Sequence, residues 1–193
     1  KEIPEDVIVE RAFGLDTSRH LSIAGKYFHR MAQPDRWVSW WPGGIWTGMK
    51  MIKKYQPAAI FSTSPILTAH LIGQSLQKRT GLPWIADMRD SITEPGYPRD
   101  PLTWNIHRKI EQQIVHRCTK AIFTTEPTRQ MYAERYPDIP ESQWAVIENG
   151  FDEENFCDAE TNLPEGPLGA PGQITLVHSG ILYPQERDPR PFF

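Results

Sequence analysis

Cysteine is scarce, charge is balanced, and no long apolar run is present. Cys118 and Cys157 are the only two cysteines in 193 residues. They are too few for a disulfide scaffold and lack paired metal-ligand spacing, so a reducing compartment is the expectation. The formal net charge is −3 with both signs interspersed. No basic stripe is left to neutralise a nucleic-acid backbone, and nucleic acid is not an expected partner. No stretch approaches the roughly 18 uninterrupted apolar residues of a spanning helix, and no signal-type segment opens the chain. His20, His29, His70, His107 and His116 show no ligand spacing with carboxylates or cysteines, so they read as surface or packing residues and no metal site is expected.

Seven tryptophans and a 39% apolar fraction argue for a packed core, and 18 prolines for short elements joined by frequent turns. Short β-branched or aromatic runs alternate with segments of helical period, the pattern of βαβ units and a parallel sheet. The expected strands are 7–12, 59–63, 84–88, 121–124, 144–147 and 174–178. Leu67, Leu71, Ile72 and Leu76 lie on one helical face. Ser64 is placed to cap that helix, Pro65 to occupy its first position and Gly81 to stop it. A second helix opens at Asp100-Pro101 with Ile106, Ile110 and Ile114 on one face, and a third runs from near Thr125 to before Pro137. Residues 161–172 are aperiodic and rich in Pro and Gly. They read as a linker between a domain of residues 1–160 and the start of another at 173–193.

Chemistry in an open parallel sheet is expected at the carboxyl ends of the strands. Four segments fall there. Ser62-Thr63-Ser64-Pro65 offers hydroxyls and backbone N–H groups at a helix start, for a ligand or only as a cap. In Asp87-Met88-Arg89-Asp90, carboxylates flank a guanidinium and can bind sugar hydroxyls or accept a proton, or simply form an ion pair that pins the loop. Glu148-Asn149-Gly150-Phe151-Asp152 begins as a turn, since Asn-Gly readily takes positive φ. His178-Ser179-Gly180 with Arg187 pairs a glycine that lets backbone approach a phosphate with a forked donor.

In their order, Phe61-Ser62-Thr63-Ser64-Pro65, Ala69-His70-Leu71-Ile72-Gly73, the run from Thr80 to Asp90, Asn149-Gly150-Phe151-Asp152 and His178-Ser179-Gly180-Ile181-Leu182-Tyr183 closely resemble family 4 glycosyltransferases of the GT-B fold. The bacterial surface-polysaccharide and capsule branch is the nearest in kind, with Gln33-Pro34-Asp35, Trp40 and Trp46 similar to its upstream segment. The resemblance implies an acceptor-side Rossmann-like domain, lacking its first strand and Gly-rich loop, followed by the first strand of a donor-binding domain. It implies transfer from a nucleotide-sugar donor to a glycan or lipid-linked acceptor, with retention and without metal or other cofactor. The implied location is the cytoplasm, including the inner face of its membrane. Ser64, Arg89 and Asp90 are the expected acceptor-binding residues, Gly180 and Arg187 the donor-binding ones, and Asp87, Arg89 and Asp90 the catalytic candidates. Arg89 stands where many relatives have a cleft histidine, so charge stabilisation suits it better than base chemistry. Ser91-Ile92 replaces the family's Pro and Trp after Asp90, and Pro65-Ile66 replaces Pro-Pro. These departures bear on acceptor identity. By the same resemblance, the Gly-rich unit would precede Lys1 and the bulk of the donor domain would follow Phe193, so these residues alone are expected to be inactive. The alternatives are a sugar-nucleotide epimerase of the same fold and a non-catalytic truncated binding module.

The run from Trp37 to Trp46 leads into Met49-Lys50-Met51-Ile52-Lys53-Lys54. A helix packed on the sheet with snorkelling lysines accounts for it; contact with a membrane surface is the alternative.

Overall fold

A computed structural model of the chain describes residues 3–22, 26–162, 166, 169, 172–180 and 188–192. Two compact units emerge, Lys1–Asn149 and Gly150–Phe193. The segment 161–172, read as a linker, falls within the second of these and is described only in part.

In the first unit the order is α1 (Thr17–His20), α2 (Trp40–Tyr55), β1 (Ile60–Thr63), α3 (Leu67–Thr80), β2 (Trp84–Met88), α4 (Pro101–Val115), β3 (Lys120–Phe123), α5 (Glu126–Arg135) and β4 (Trp144–Val146). The strands form one sheet in the order β1-β2-β3-β4 with every pairing parallel. This is an α/β architecture, a four-stranded parallel sheet flanked by helices, compatible with a Rossmann-like fold. A strand order without reversal, joined by crossovers of one hand, carries α3, α4 and α5 to the same face. Burial alternates to match. Trp84, Ala86, Met88, Ala121 and Phe123 are fully buried on that face, while Phe61 on the other is 60% exposed. Phe123 packs its ring against Tyr132 of α5, at 4.8 Å between centroids, and against Trp144 of β4 at 5.8 Å. Truncating such a residue typically costs about 3–5 kcal/mol, so the sheet and α5 stand or fall together.

The local signals for α4 and α5 operate as expected. Asp100 caps α4 by accepting from Thr103 N–H at 2.8 Å, with Pro101 in the first turn. Thr125 caps α5. Ile110 and Ile114 are buried, and Ile106 packs against them. At the end of α3, Gly81 takes φ 72° and returns its N–H to Gln77, a conformation that glycine reaches without a steric penalty.

The start of α3 corrects the sequence. Ser64 does not cap it and Pro65 is not its first residue, because the helix begins at Leu67 behind Ile66, which has no capping side chain. One open N–H group, that of Thr68, is satisfied from far away. Asp35 accepts from Thr68 N–H at 2.8 Å and from Thr68 Oγ1 at 2.9 Å, leaving Ser64 to another role. Beside α3 lies α2, where glycines set the approach: a Cβ on Gly44 would stand 2.4 Å from Ile72 Cδ1, and one on Gly48 would stand 2.6 Å from Leu76 Cδ1. The expected packed helix is therefore present, but it packs on α3.

Residues 7–12 form no strand. Among the described residues they have no ladder partner, and Val7, Ile8 and Val9 are about half exposed. A β-rich run becomes a strand only when its N–H and C=O groups find an edge to pair with.

In the second unit, α6 (Glu153–Thr161) opens where Asp152 accepts from Glu154 N–H at 3.1 Å, and Phe151 meets Phe156 edge-on. The strand expected at 174–178 is absent for the same reason as at 7–12. Among the described residues it has no ladder partner, and Ile174, Leu176 and Val177 are 91%, 81% and 79% exposed. Among the described residues no helix is long and apolar enough to cross a membrane.

Candidate functional site

The parallel register puts Thr63, at the end of β1, beside Asp87 near the end of β2. Thr63 Oγ1 donates to Asp87 Oδ2 at 2.8 Å, so part of that carboxylate is committed within the site. One residue on, Ser64 N–H donates to the Asp87 carbonyl at 3.0 Å. Ser64 Oγ accepts from Arg89 N–H at 2.9 Å. On the other side Thr124, following β3, donates its hydroxyl to the Arg89 carbonyl at 2.8 Å. The Arg89 backbone is thus held from both neighbouring strands while its side chain stays exposed. Its guanidinium donates to Asn149 Oδ1, beyond β4, at 3.2 Å. Residues following all four strands are linked along one edge of the sheet, as expected where a parallel sheet binds ligands.

Asp90 stands beside this line. With Ser64, Ser91, Tyr97 and His107 it lines a cleft of about 190 Å³. A carboxylate, two hydroxyls and an exposed aromatic ring converge there, a set that suits a hydroxyl-rich ligand. His107 Nε2 lies 2.9 Å from the Pro34 carbonyl. A carbonyl only accepts, so that nitrogen carries a proton and does not face the cleft as a base.

A buried charge fixes the loop from behind. Glu111 of α4 is fully buried. Its Oε2 accepts from Thr93 N–H at 3.1 Å, Thr93 Oγ1 at 2.7 Å and Tyr132 OH at 3.1 Å. Its Oε1 accepts from Tyr136 OH at 2.7 Å, Arg135 at 2.9 Å and Arg108. Burial, reinforced by the adjacent Glu111 charge, raises the pKa of both tyrosines and keeps them neutral donors. Ile92 N–H also donates to Tyr132 OH at 3.0 Å. The residues directly after Asp90-Ser91 are therefore clamped to α4 and α5.

A larger trough of about 330 Å³ runs between α2 and the outer edge of β1, past Trp40, Met51, Phe61 and Leu76. Ser62 and Thr63 reach its wall, but Ser64, Asp87, Arg89 and Asp90 do not, so size does not locate the site here.

The structure brings together Ser64, Asp87 and Arg89 by hydrogen bonds, and Ser64 with Asp90 by the shared cleft. Gly180 lies in the second unit, exposed, at φ 152°, a backbone angle that favours glycine. Arg187 lies outside the described residues. Thr63 belongs to a segment read from the sequence; Thr124, Tyr97, His107 and Glu111 escape such a reading as site residues. For Tyr97 the preceding Pro95-Gly96 is a turn signal; for Glu111 the only hint is its place one turn before Val115 on a buried face. Among the described residues no group of three or more His, Cys, Asp or Glu is placed to hold a metal ion.

Fold and site together define an α/β protein with a polar cleft at the edge of a parallel sheet. The chain matches no protein-family model and no curated protein.

Proposed function

We propose that this chain is the acceptor side of a nucleotide-sugar-dependent glycosyltransferase of family 4 and GT-B fold, acting in cell-surface polysaccharide synthesis. One observation carries the reading. Motif segments far apart in sequence converge, with Ser64 bonded to Arg89, Arg89 to Asn149, and Asp90 in the cleft beside Ser64. In the proposed reaction the bond between the sugar's anomeric carbon and the donor phosphate oxygen breaks. A bond from the same carbon to an acceptor hydroxyl oxygen forms, and that hydroxyl loses its proton. Asp90 lies where a carboxylate would bind acceptor hydroxyls or take that proton. The Arg89 cation is suited to stabilise negative charge and cannot be the base. Gly180 and Arg187 are assigned to the donor's diphosphate. The acceptor is a glycan or lipid-linked glycan; no metal is required.

The test is the full open reading frame carrying this chain, assayed against a panel of nucleotide sugars, with Asp90→Asn and Arg187→Ala beside it. Turnover that falls at least a hundredfold in either variant, with the fold intact, supports the assignment; about two orders of magnitude is the usual contribution of a proton-transfer or charge-stabilising group. Absence of nucleotide-sugar binding and turnover refutes it. A sugar-nucleotide epimerase is the second reading, with Asp90 of the Asp87 loop as the carboxylate in the cleft. It predicts an epimerised nucleotide sugar without any acceptor.

A further inference from the structure

Three consecutive residues of one strap are committed to the two helices beside the cleft. Asp35 accepts from Thr68 at the start of α3. Gln33 Nε2 donates to Thr103 Oγ1 of α4 at 2.8 Å. One turn further along α4, His107 Nε2–H donates to the Pro34 carbonyl at 2.9 Å. His107 is half-buried and lines the cleft with Ser64, Asp90, Ser91 and Tyr97.

The bond to Pro34 fixes the tautomer. A carbonyl only accepts, so the proton of the neutral imidazole sits on Nε2 and the lone pair on Nδ1. Among the described residues Nδ1 has no hydrogen-bond partner. Holding the strap needs Nε2 and nothing else, yet the same ring brings a free acceptor nitrogen to a cleft that holds a carboxylate and two hydroxyls. A base kept in one tautomer by a third group is the arrangement that proton transfer from a hydroxyl uses.

We propose that His107 Nδ1 takes the proton of the acceptor hydroxyl, with the Pro34 carbonyl holding the ring for that task. In the step, the hydroxyl oxygen bonds to the anomeric carbon. The bond from that carbon to the donor phosphate oxygen breaks, its electron pair leaves on the phosphate, and the hydroxyl proton moves to Nδ1. The imidazolium so formed keeps its bond to Pro34 and shares the cleft with the Asp90 carboxylate, which offsets the new charge and binds the acceptor's other hydroxyls. The inference rests on the glycosyltransferase reading and assigns its proton.

Two amide substitutions separate the two nitrogens. His107→Gln can keep a donor at the Nε2 position for Pro34 and leaves nothing at Nδ1; His107→Asn leaves at the Nδ1 position an acceptor that cannot take a proton. The full open reading frame is assayed with nucleotide sugars as donors and methyl glycosides as acceptors. His107→Gln is expected to keep its melting temperature and lose about a hundredfold in kcat, and His107→Asn to keep the KM for the glycoside with a similar loss in kcat. His107→Ala should regain part of its turnover in added imidazole, a response that a purely structural role does not give. Isotopic labelling of the histidine nitrogens reads the tautomer by NMR without any turnover, the His107 signals being those that His107→Gln removes; Nε2–H is expected. A proton on Nδ1 instead, a His107→Gln or His107→Asn protein as active as the parent, or a folded His107→Ala protein indifferent to imidazole overturns the proposal while leaving the glycosyltransferase reading in place. Absence of turnover with every nucleotide sugar overturns both. If His107→Gln does not fold, His107→Asn and the loss of one histidine signal set in its spectrum carry the test.

Discussion

Replacing Glu111 by Gln removes one charge from the buried cluster and almost nothing from its volume. Thr93 N–H, Thr93 Oγ1 and Tyr132 OH converge on one oxygen, and Tyr136 OH, Arg135 and Arg108 on the other. A glutamine has one accepting oxygen and one donating NH2. Hydroxyls can turn away from that NH2, but the Thr93 N–H and the guanidinium groups cannot, so either orientation of the amide sets donor against donor. Hydrogen bonds to a charged group contribute about 1.5–3 kcal/mol each, and breaking a buried ion pair costs about 3–5 kcal/mol. The arginine side chains are 33% and 18% exposed, so water recovers part of their loss and the lower end applies. We expect a loss of about 3 kcal/mol, or about 10 °C in melting temperature for a domain of this size. Urea unfolding followed by the fluorescence of buried Trp84 and Trp144 measures it. Hydrogen exchange adds a local readout, since the Ile92 and Thr93 amides should lose protection beyond the global change. A loss below about 1 kcal/mol, or unaltered exchange at those two amides relative to the global change, would refute the clamp.

Two further perturbations probe other parts of the fold. Burial lowers the His70 imidazole to about 4 from its usual 6.5. Its folded-state pKa lies below the unfolded value, so stability present above pH 6.5 is lost as pH falls from there toward 4, by roughly 3 kcal/mol. A pH series of urea midpoints should show that decline, and His70→Leu should flatten it; an equal slope in both proteins refutes the assignment. Asp35→Ala strips the acceptor from Thr68 N–H and from the fully buried Thr68 hydroxyl. The expected cost is about 2 kcal/mol in a thermal melt, with Asp35→Asn costing less, and no measurable loss in Asp35→Ala would mean that α3 needs no remote cap.

What could be read without coordinates follows the range of the forces involved. The four strands of the sheet are short apolar runs bounded by turn residues, and α4 carries its cap and its proline within its own sequence, so both are legible. The start of α3 is not, because its capping carboxylate comes from Asp35, on a separate stretch of chain. Residues 7–12 and 174–178 carry strand composition, but composition supplies only half of a strand; the other half is a partner edge, and neither segment has one among the described residues. Glu111 is hidden for a related reason. A polar residue one turn from Val115 looks like a solvated position until Thr93, Tyr132, Tyr136, Arg108 and Arg135 are brought around it.

The two carboxylates of the Asp87-Met88-Arg89-Asp90 segment are equivalent in sequence and unequal in space. Asp87 is the last position of β2 paired with β1, opposite Thr63, and the parallel register delivers the Thr63 hydroxyl to it. Its acceptor capacity is partly taken by that bond between β1 and β2. Asp90 has left the ladder and lines the cleft with Ser64 and Tyr97. Between them Arg89 is anchored at its N–H by Ser64 and at its carbonyl by Thr124, so its side chain leaves the sheet edge from a fixed base. Asn149, beyond β4, gives its guanidinium a side-chain acceptor. Of the three charged residues, then, Asp87 bridges two strands, Arg89 presents a fixed cation, and Asp90 is the carboxylate whose removal, under the proposed function, should lower turnover while leaving the fold intact.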